Sequence, residues 1–208
     1  MHAMLNAAYA NGITRLVATP HTTPGIEPFA YETYLERLEE AQVYCDRQGW
    51  SMKIYQGAEV LYTPMAAQVI ASGKIPTLAE SQYVLVEFIP DVEFRTIHDA
   101  SLSFLQNGMI PVLAHVERYR CLMHKAKQAL RLKKELTVQY QVNCATVLNG
   151  RDSRTNNTLQ ILFREGLVDH VASDAHNLHS RPCKMREAYE VLQKQVDLEY
   201  AQRLVGLF

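Results

Sequence analysis

The sequence predicts an α/β protein built on a parallel sheet, open or closed into a barrel, and three observations carry that expectation. Apolar runs alternate with stretches of helical period along the chain; the runs are apolar on both faces; and five of them stop at a histidine or a carboxylate.

The elements follow in order. Residues 2–10 have helical character and end at Asn11-Gly12, a good C-terminal stop, after which Thr14–Thr19 (TRLVAT) is β-rich and runs into Pro20-His21. Residues 31–48 place Tyr31, Tyr34, Leu35, Leu38, Ala41 and Cys45 on one helical face with acidic residues elsewhere, and Gly49 ends the helix. The pattern then repeats. MKIYQGAE is strand-like, 64–72 helical, YVLVEF strand-like, 96–107 helical, and PVLAH strand-like. A helix near 122–134, a strand at 137–142 (TVQYQV) and a helix at 156–165 lead into the strand HVAS, giving six strands. The last stretch, YAQRLVGLF, reads as an amphipathic helix that stops while still apolar. No repeat, low-complexity tract or flexible linker divides the chain, so its 208 residues are expected to form a single domain.

In parallel α/β proteins the loops at the carboxyl ends of the strands converge on one rim, and the active site lies there. The polar residues closing the apolar runs are His21, Glu59, Glu87, His115 and the pair Asp174/His176. All would face that rim. Clustered carboxylates repel and desolvated imidazoles are costly unless cations compensate. Mixed His/Asp/Glu ligation suits Mn²⁺, Zn²⁺ or Fe, and ions about 3.5–4 Å apart form the usual clamp for hydrolysing a phosphoester. Taken singly, each histidine is more often a surface or capping residue than a ligand, and His2, His98, His124, His170 and His179 stay in that class. Glu59 and Glu87 are harder to dismiss, because a carboxylate inside an apolar strand needs a partner. Asp174 also fits a helix N-cap or a turn. The agreement of all six at strand ends is what points to a metal site. Arg118 in HVERY and Arg181 in HSRP follow candidate ligands closely, where a guanidinium can hold a phosphate by paired hydrogen bonds or simply join a surface ion pair.

Composition excludes other classes. An apolar share of 48%, a charged share of 21% and a formal net charge of -1 leave no electrostatic footprint for nucleic acid or an anionic membrane surface. No apolar run approaches the roughly 18 residues of a membrane span, and MHAMLNAAYANG lacks the features of a signal peptide, so a cytoplasmic protein is expected. Cys45, Cys121, Cys144 and Cys183 form no CxxC pair, which indicates buried or idle thiols. Cysteine-dependent phosphate-ester chemistry needs a thiolate in a Cys-x5-Arg loop, and the nearest approach, Cys144 with Arg151, has one residue too many.

ATPHT, GAEVLYTP, YVLVEF, PVLAHVERY, QVN and ASDAHNLHSRP together resemble the polymerase and histidinol phosphatase (PHP) family. More narrowly, they resemble its branch of bacterial manganese-dependent tyrosine-protein phosphatases from capsule and exopolysaccharide operons. The resemblance implies a distorted (β/α)7 barrel with up to three ions. Glu59 would bridge the first and second, with Asp174 on the first, Glu87 and His115 on the second, and His21 and His176 on the third, while Arg118 and Arg181 would bind the phosphate. It also implies hydrolysis of a phosphotyrosine ester by hydroxide generated at the metals, without a covalent enzyme intermediate. The implied substrate is the tyrosine-phosphorylated tail of the kinase that controls polysaccharide assembly. Members of the family begin with a strand carrying Asp-x-His-x-His and an acidic loop, which this chain does not show. The expectation is therefore a domain over 1–208 lacking its first strand, with two strand edges unpaired, fewer ions, and weak or no activity as it stands. Two alternatives accompany it: a phosphatase acting on a small phosphomonoester such as histidinol phosphate, and a non-catalytic protein that binds the phosphorylated tail.

Overall fold

The computed structural model describes residues 1–149 and 153–206, and the side chains of residues 153–155 are left aside. Arg151 of the Cys-x5-Arg comparison and Leu207-Phe208 of the expected C-terminal helix lie outside the described residues.

All six expected strands form; one is broken in the middle, and another is followed past a proline by a short strand that was not expected. TRLVAT gives β1 (Arg15–Ala18), and after Pro20 a second short strand follows, β2 (His21–Thr22). MKIYQGAE, expected as one strand, splits into β3 (Lys53–Gln56) and β4 (Glu59–Leu61). β1 pairs with β3 and β2 with β4, both parallel and with the same sequence offset, Arg15 opposite Lys53 and His21 opposite Glu59. The four pieces are thus one kinked strand pair. Two local causes explain the kink. Pro20 has no N–H to give to a ladder. At Gly57 a Cβ would stand 2.7 Å from Val17 Cγ1, so any larger residue there would push the Val17 side chain aside.

The remaining strands are β5 (Tyr83–Glu87), β6 (Ile110–Leu113), β7 (Gln139–Asn143) and β8 (His170–Ala172). All pairings are parallel, in the order β2-β4-β5-β6-β7-β8, so each strand lies beside its neighbour in sequence. Parallel neighbours need crossovers, and helices supply them. The helices are α1 (His2–Ala10), α2 (Tyr31–Arg47), α3 (Ala66–Ala71), α4 (Phe94–Gln106), α5 (Arg120–Met123), α6 (Ala126–Glu135), α7 (Cys144–Asn149), α8 (Ser153–Arg164), α9 (Met185–Gln195) and α10 (Leu198–Leu204), of which α2 to α8 lie between strands. The single helix expected near 122–134 is two, because Lys125 leaves the helical region (φ -138°, ψ 73°) and the Thr158 hydroxyl donates to the Met123 carbonyl at the end of α5. α7 and α9 were not expected.

The main core fills the space between sheet and helices, with Ile97, Phe104, Leu113, Leu132, Tyr140, Leu162, Leu192 and Leu204 fully buried. A satellite cluster of Leu5, Ala8, Ala41, Cys45 and Met52 packs α1 and α2 against β3. Residues of the first strand (Val17, Ala18) and of the last (Val171, Ala172) line one cavity of about 1150 Å³, so the sheet curls like a barrel. It does not close: β1 pairs only with β3 and β8 only with β7 among the described residues. His21, Glu59, His115, Asp174 and His176 also line this space.

Tyr34 of α2 stitches the kink. Its hydroxyl accepts the Gly57 N–H (2.8 Å) and donates to the Ala18 carbonyl (2.8 Å), with the Gly57 carbonyl at 3.0 Å. Burial pushes this phenol up to about 12. Tyr34→Phe leaves the Gly57 N–H without its partner and is expected to cost about 1–3 kcal/mol in urea unfolding. An unchanged midpoint would show that the kink holds without it.

Candidate metal centre

The rim is assembled by strand ends. His21 opens β2, Glu59 opens β4 beside it, Glu87 closes β5, and His115 and Asp174 follow β6 and β8. His115 (φ 33°) and Asp174 (φ 48°) occupy the left-handed region, two of four non-glycine residues there among the described residues. Such conformations cost about 1–3 kcal/mol each and persist only where surroundings fix them. Here hydrogen bonds do so. Gln141 Oε1 accepts the His115 N–H (2.7 Å), and Asn143 Nδ2 donates to Asp174 Oδ2 (2.6 Å). Gln141 Nε2 in turn donates to Asn143 Oδ1 (2.8 Å).

All eight residues singled out in the sequence meet here. His115 Nε2 lies 2.9 Å from Glu59 Oε1 and 3.2 Å from Glu87 Oε1. Burial opposes a charge on His115, but the bonds to the two carboxylates outweigh it and push the imidazole up to about 9. The bond from His115 holds the Glu87 carboxyl below its usual range. His21 stands 3.7 Å from Glu87 and 4.0 Å from Glu59, and its Nε2 faces His176 Nε2 at 3.2 Å. Ligand atoms of His21, Glu59 and Glu87 lie within 4.8 Å of one another. That trio cuts across the ligand sets implied by the resemblance, which put His21 with His176 alone.

Arg118 (3.1 Å) and Arg181 both donate to Asp174 Oδ2, so the guanidiniums rest on a carboxylate rather than standing free for an anion. The remaining histidines are elsewhere: His2 stacks on Tyr44, His98 pairs with Asp99, and His170 lies within β8. Burial pushes all four thiols up, away from the thiolate a cysteine nucleophile requires.

The donor chemistry fits a divalent cation. Asp174's backbone carbonyl can only accept, so His176 Nδ1 donates to it (3.0 Å) and a neutral His176 turns the lone pair of Nε2 inward. Fixing the tautomer through the outer nitrogen is how metal-binding histidines are prepared.

Sequence reasoning missed three supporting residues: Gln141, Asn143 and Glu117. Glu117, buried after His115, accepts the Asn143 N–H (2.9 Å) and the Thr146 hydroxyl (2.9 Å), and burial pushes its carboxyl up. A signal existed. Gln139, Gln141 and Asn143 recur at every second position of a strand, which puts one polar row on a single face.

A curled parallel sheet with histidines, carboxylates and arginines on its carboxyl rim defines a class, the metal-dependent hydrolases of PHP type. The description "Capsular polysaccharide synthesis, CpsB/CapC" matches residues 1–206, and the chain belongs to that family. It is 29% identical to tyrosine-protein phosphatase CpsB of Streptococcus pneumoniae, over 97% of this chain and 85% of that protein. It is 27% identical to tyrosine-protein phosphatase YwqE of Bacillus subtilis, over 94% and 77%. A solved structure from a study of YwqE and CpsB, described as unique metal-dependent tyrosine phosphatases, superposes with a TM-score of 0.86 at 25% identity, covering 98% of this chain and 82% of that one. No helix among the described residues is long and apolar enough to cross a membrane.

Proposed function

We propose that residues 1–208 act as one phosphatase domain that hydrolyses phosphotyrosine on the kinase regulating capsular or exopolysaccharide synthesis, in the cytoplasm and with Mn²⁺ as the resident ion. The observation that carries this reading is the meeting of three histidines, three carboxylates and two arginines on one rim. Bound divalent cations supply the Lewis acidity and lowered water pKa that phosphoester hydrolysis needs, and Zn²⁺ or Fe would suit the same donors.

The chain's own residues do the rest. Glu59 and Glu87 would offer their oxygens to a cation from adjacent strands, and His115, which bonds to both, would join them as a neutral imidazole. His21 and His176 complete the inner wall with facing Nε2 atoms. Asp174, held by Asn143, contributes a carboxylate whose position is fixed before substrate arrives. Arg118 and Arg181 exchange their shared bond to Asp174 for the phosphoryl oxygens, with side chains about two-fifths exposed and so open to an incoming anion. A planar fork matches a phosphate better than an ammonium would.

The test is phosphate release from a phosphotyrosine peptide by this chain. With Mn²⁺ added, weak release is expected, lost on chelation or in Asp174→Asn, and insensitive to thiol alkylation. Peptide binding without release in Mn²⁺ would instead make the chain a non-catalytic binder. Preference for a small phosphomonoester would move the substrate class.

A further inference from the structure

Beside the charged rim stands an apolar one. Ile26, Met65 and Ile89 are 78%, 52% and 63% exposed, and each sits on the loop that follows a rim strand, β2, β4 and β5 in turn. Because these strands are adjacent in the sheet, the three loops are neighbours. Scattered exposed apolar residues are normal, but these three share one arc.

They are also held out stiffly. The Ile26 N–H bonds to the Thr23 carbonyl (3.1 Å), and the Thr63 hydroxyl ties the second loop to the Pro24 carbonyl (2.9 Å). A Cβ on Gly25 would stand 2.9 Å from Met65 Sδ, so the first loop rests on Met65 itself. The Val92 N–H closes a turn on the Ile89 carbonyl (3.0 Å), and the Arg120 N–H fixes Pro90 (3.1 Å). Tyr62 and Phe88, each just past a rim strand, bring their rings to 5.1 Å, tilted by 33°. Loops ordered in advance cost little to bind with.

Charge gives the arc a direction. Arg118 lies on the loop after β6, which adjoins the Ile89 loop and is bonded to it through the Arg120 N–H and the Pro90 carbonyl, and Arg181 lies on the loop after β8. A phosphoryl group seated on Arg118 therefore puts the residues beside it in the peptide next to the Ile89 loop and, along the same rim, the loops of Met65 and Ile26. We propose that these three residues form an apolar dock for the side chains flanking the phosphotyrosine, so that the site prefers an extended peptide with apolar or aromatic neighbours. This rests on the phosphotyrosine reading above.

The experiment compares the native chain with Ile26→Ser/Ile89→Ser on three substrates: p-nitrophenyl phosphate, a phosphotyrosine peptide flanked by leucine and tyrosine, and one flanked by glycine and serine. Both substitutions are at exposed positions outside the metal and phosphate residues. The native chain is expected to favour the apolar-flanked peptide by about tenfold or more in kcat/KM, mostly through KM. The double variant is expected to lose that preference and to change on p-nitrophenyl phosphate by less than about twofold. Equal use of the two peptides by the native chain, or an equal fall on all substrates, would overturn the dock. If no substrate is hydrolysed, the phosphatase reading fails on its own, and the same peptides with a fluorescent label decide the dock by anisotropy. Tighter native binding of the apolar-flanked peptide, lost in the variant, supports it, and equal binding overturns it.

Discussion

Glu59→Gln is expected to reduce phosphate release by about 10³-fold or more and to abolish the rise in melting temperature that Mn²⁺ gives the native chain. Glu59 is 5% exposed and lies where His115, His21 and Glu87 converge, so it is the carboxylate most completely committed to the rim. Glutamine keeps the shape and the bond-accepting oxygen, which makes a packing defect a poor explanation for lost activity. What it removes is one negative charge from the donor set. Metal polarisation supplies several kcal/mol to hydrolysis, and about 4 kcal/mol corresponds to the stated factor. Phosphate release and differential scanning fluorimetry with and without Mn²⁺ read the two effects separately. A variant that keeps its Mn²⁺-dependent shift while losing activity would place Glu59 in proton transfer instead of ligation. Retention of both would remove it from the centre.

Much of this geometry was legible because a parallel sheet converts a one-dimensional pattern into a place. His21, Glu59, Glu87, His115 and Asp174 each stop or flank an apolar run, and parallel strands with helical crossovers bring such stops to one edge. What was not legible depends on contacts between distant segments. The break at Gly57 exists because Val17 and Tyr34 arrive there from other elements, and the glycine in the strand pattern hints at a break without showing what meets it. A two-residue strand such as His21–Thr22 is too short to show alternation at all. The helix near 122–134 parts where Thr158, far along the chain, takes the last carbonyl of α5. Asn143 falls just past the strand expected at 137–142, and only the fold shows that its amide reaches Asp174 while Glu117 holds its backbone. The pairing of Arg118 and Arg181 on a single carboxylate oxygen has the same origin, since the spacing of the three residues in sequence does not set where their tips meet.

His170 provides the second large expected effect, on stability. It lies in β8, donates from Nε2 to Gln139 Oε1 (2.6 Å), and burial pushes its imidazole down to about 4, with Asp169 working weakly in the other direction. In the unfolded chain a histidine titrates near 6.5. Between those values the unfolded state binds a proton that the folded state refuses, so stability falls as the pH drops from about 6.5 to about 4. The slope is about 1.4 kcal/mol per pH unit, which amounts to about 3 kcal/mol across the window. His115 in metal-free protein titrates with the opposite sign and higher up, its stabilisation being complete below about 6.5 and lost as the pH rises through about 9. Glu87, held low by its bond from His115, gives up its contribution only as the pH falls below the ordinary carboxylate range. Urea unfolding of metal-free protein at pH 6.0, 5.5 and 5.0 therefore reads His170 where His115 is mostly protonated in both states and Glu87 does not yet titrate, and the raised Glu117 carboxyl, which works the other way, is common to the native chain and the variant. The native chain should weaken steadily over that series, and His170→Gln, which keeps a donor for Gln139 but cannot take a proton, should flatten the dependence. If the variant falls with the same slope as the native chain, the acid sensitivity belongs to another group and His170 is solvated enough to titrate normally.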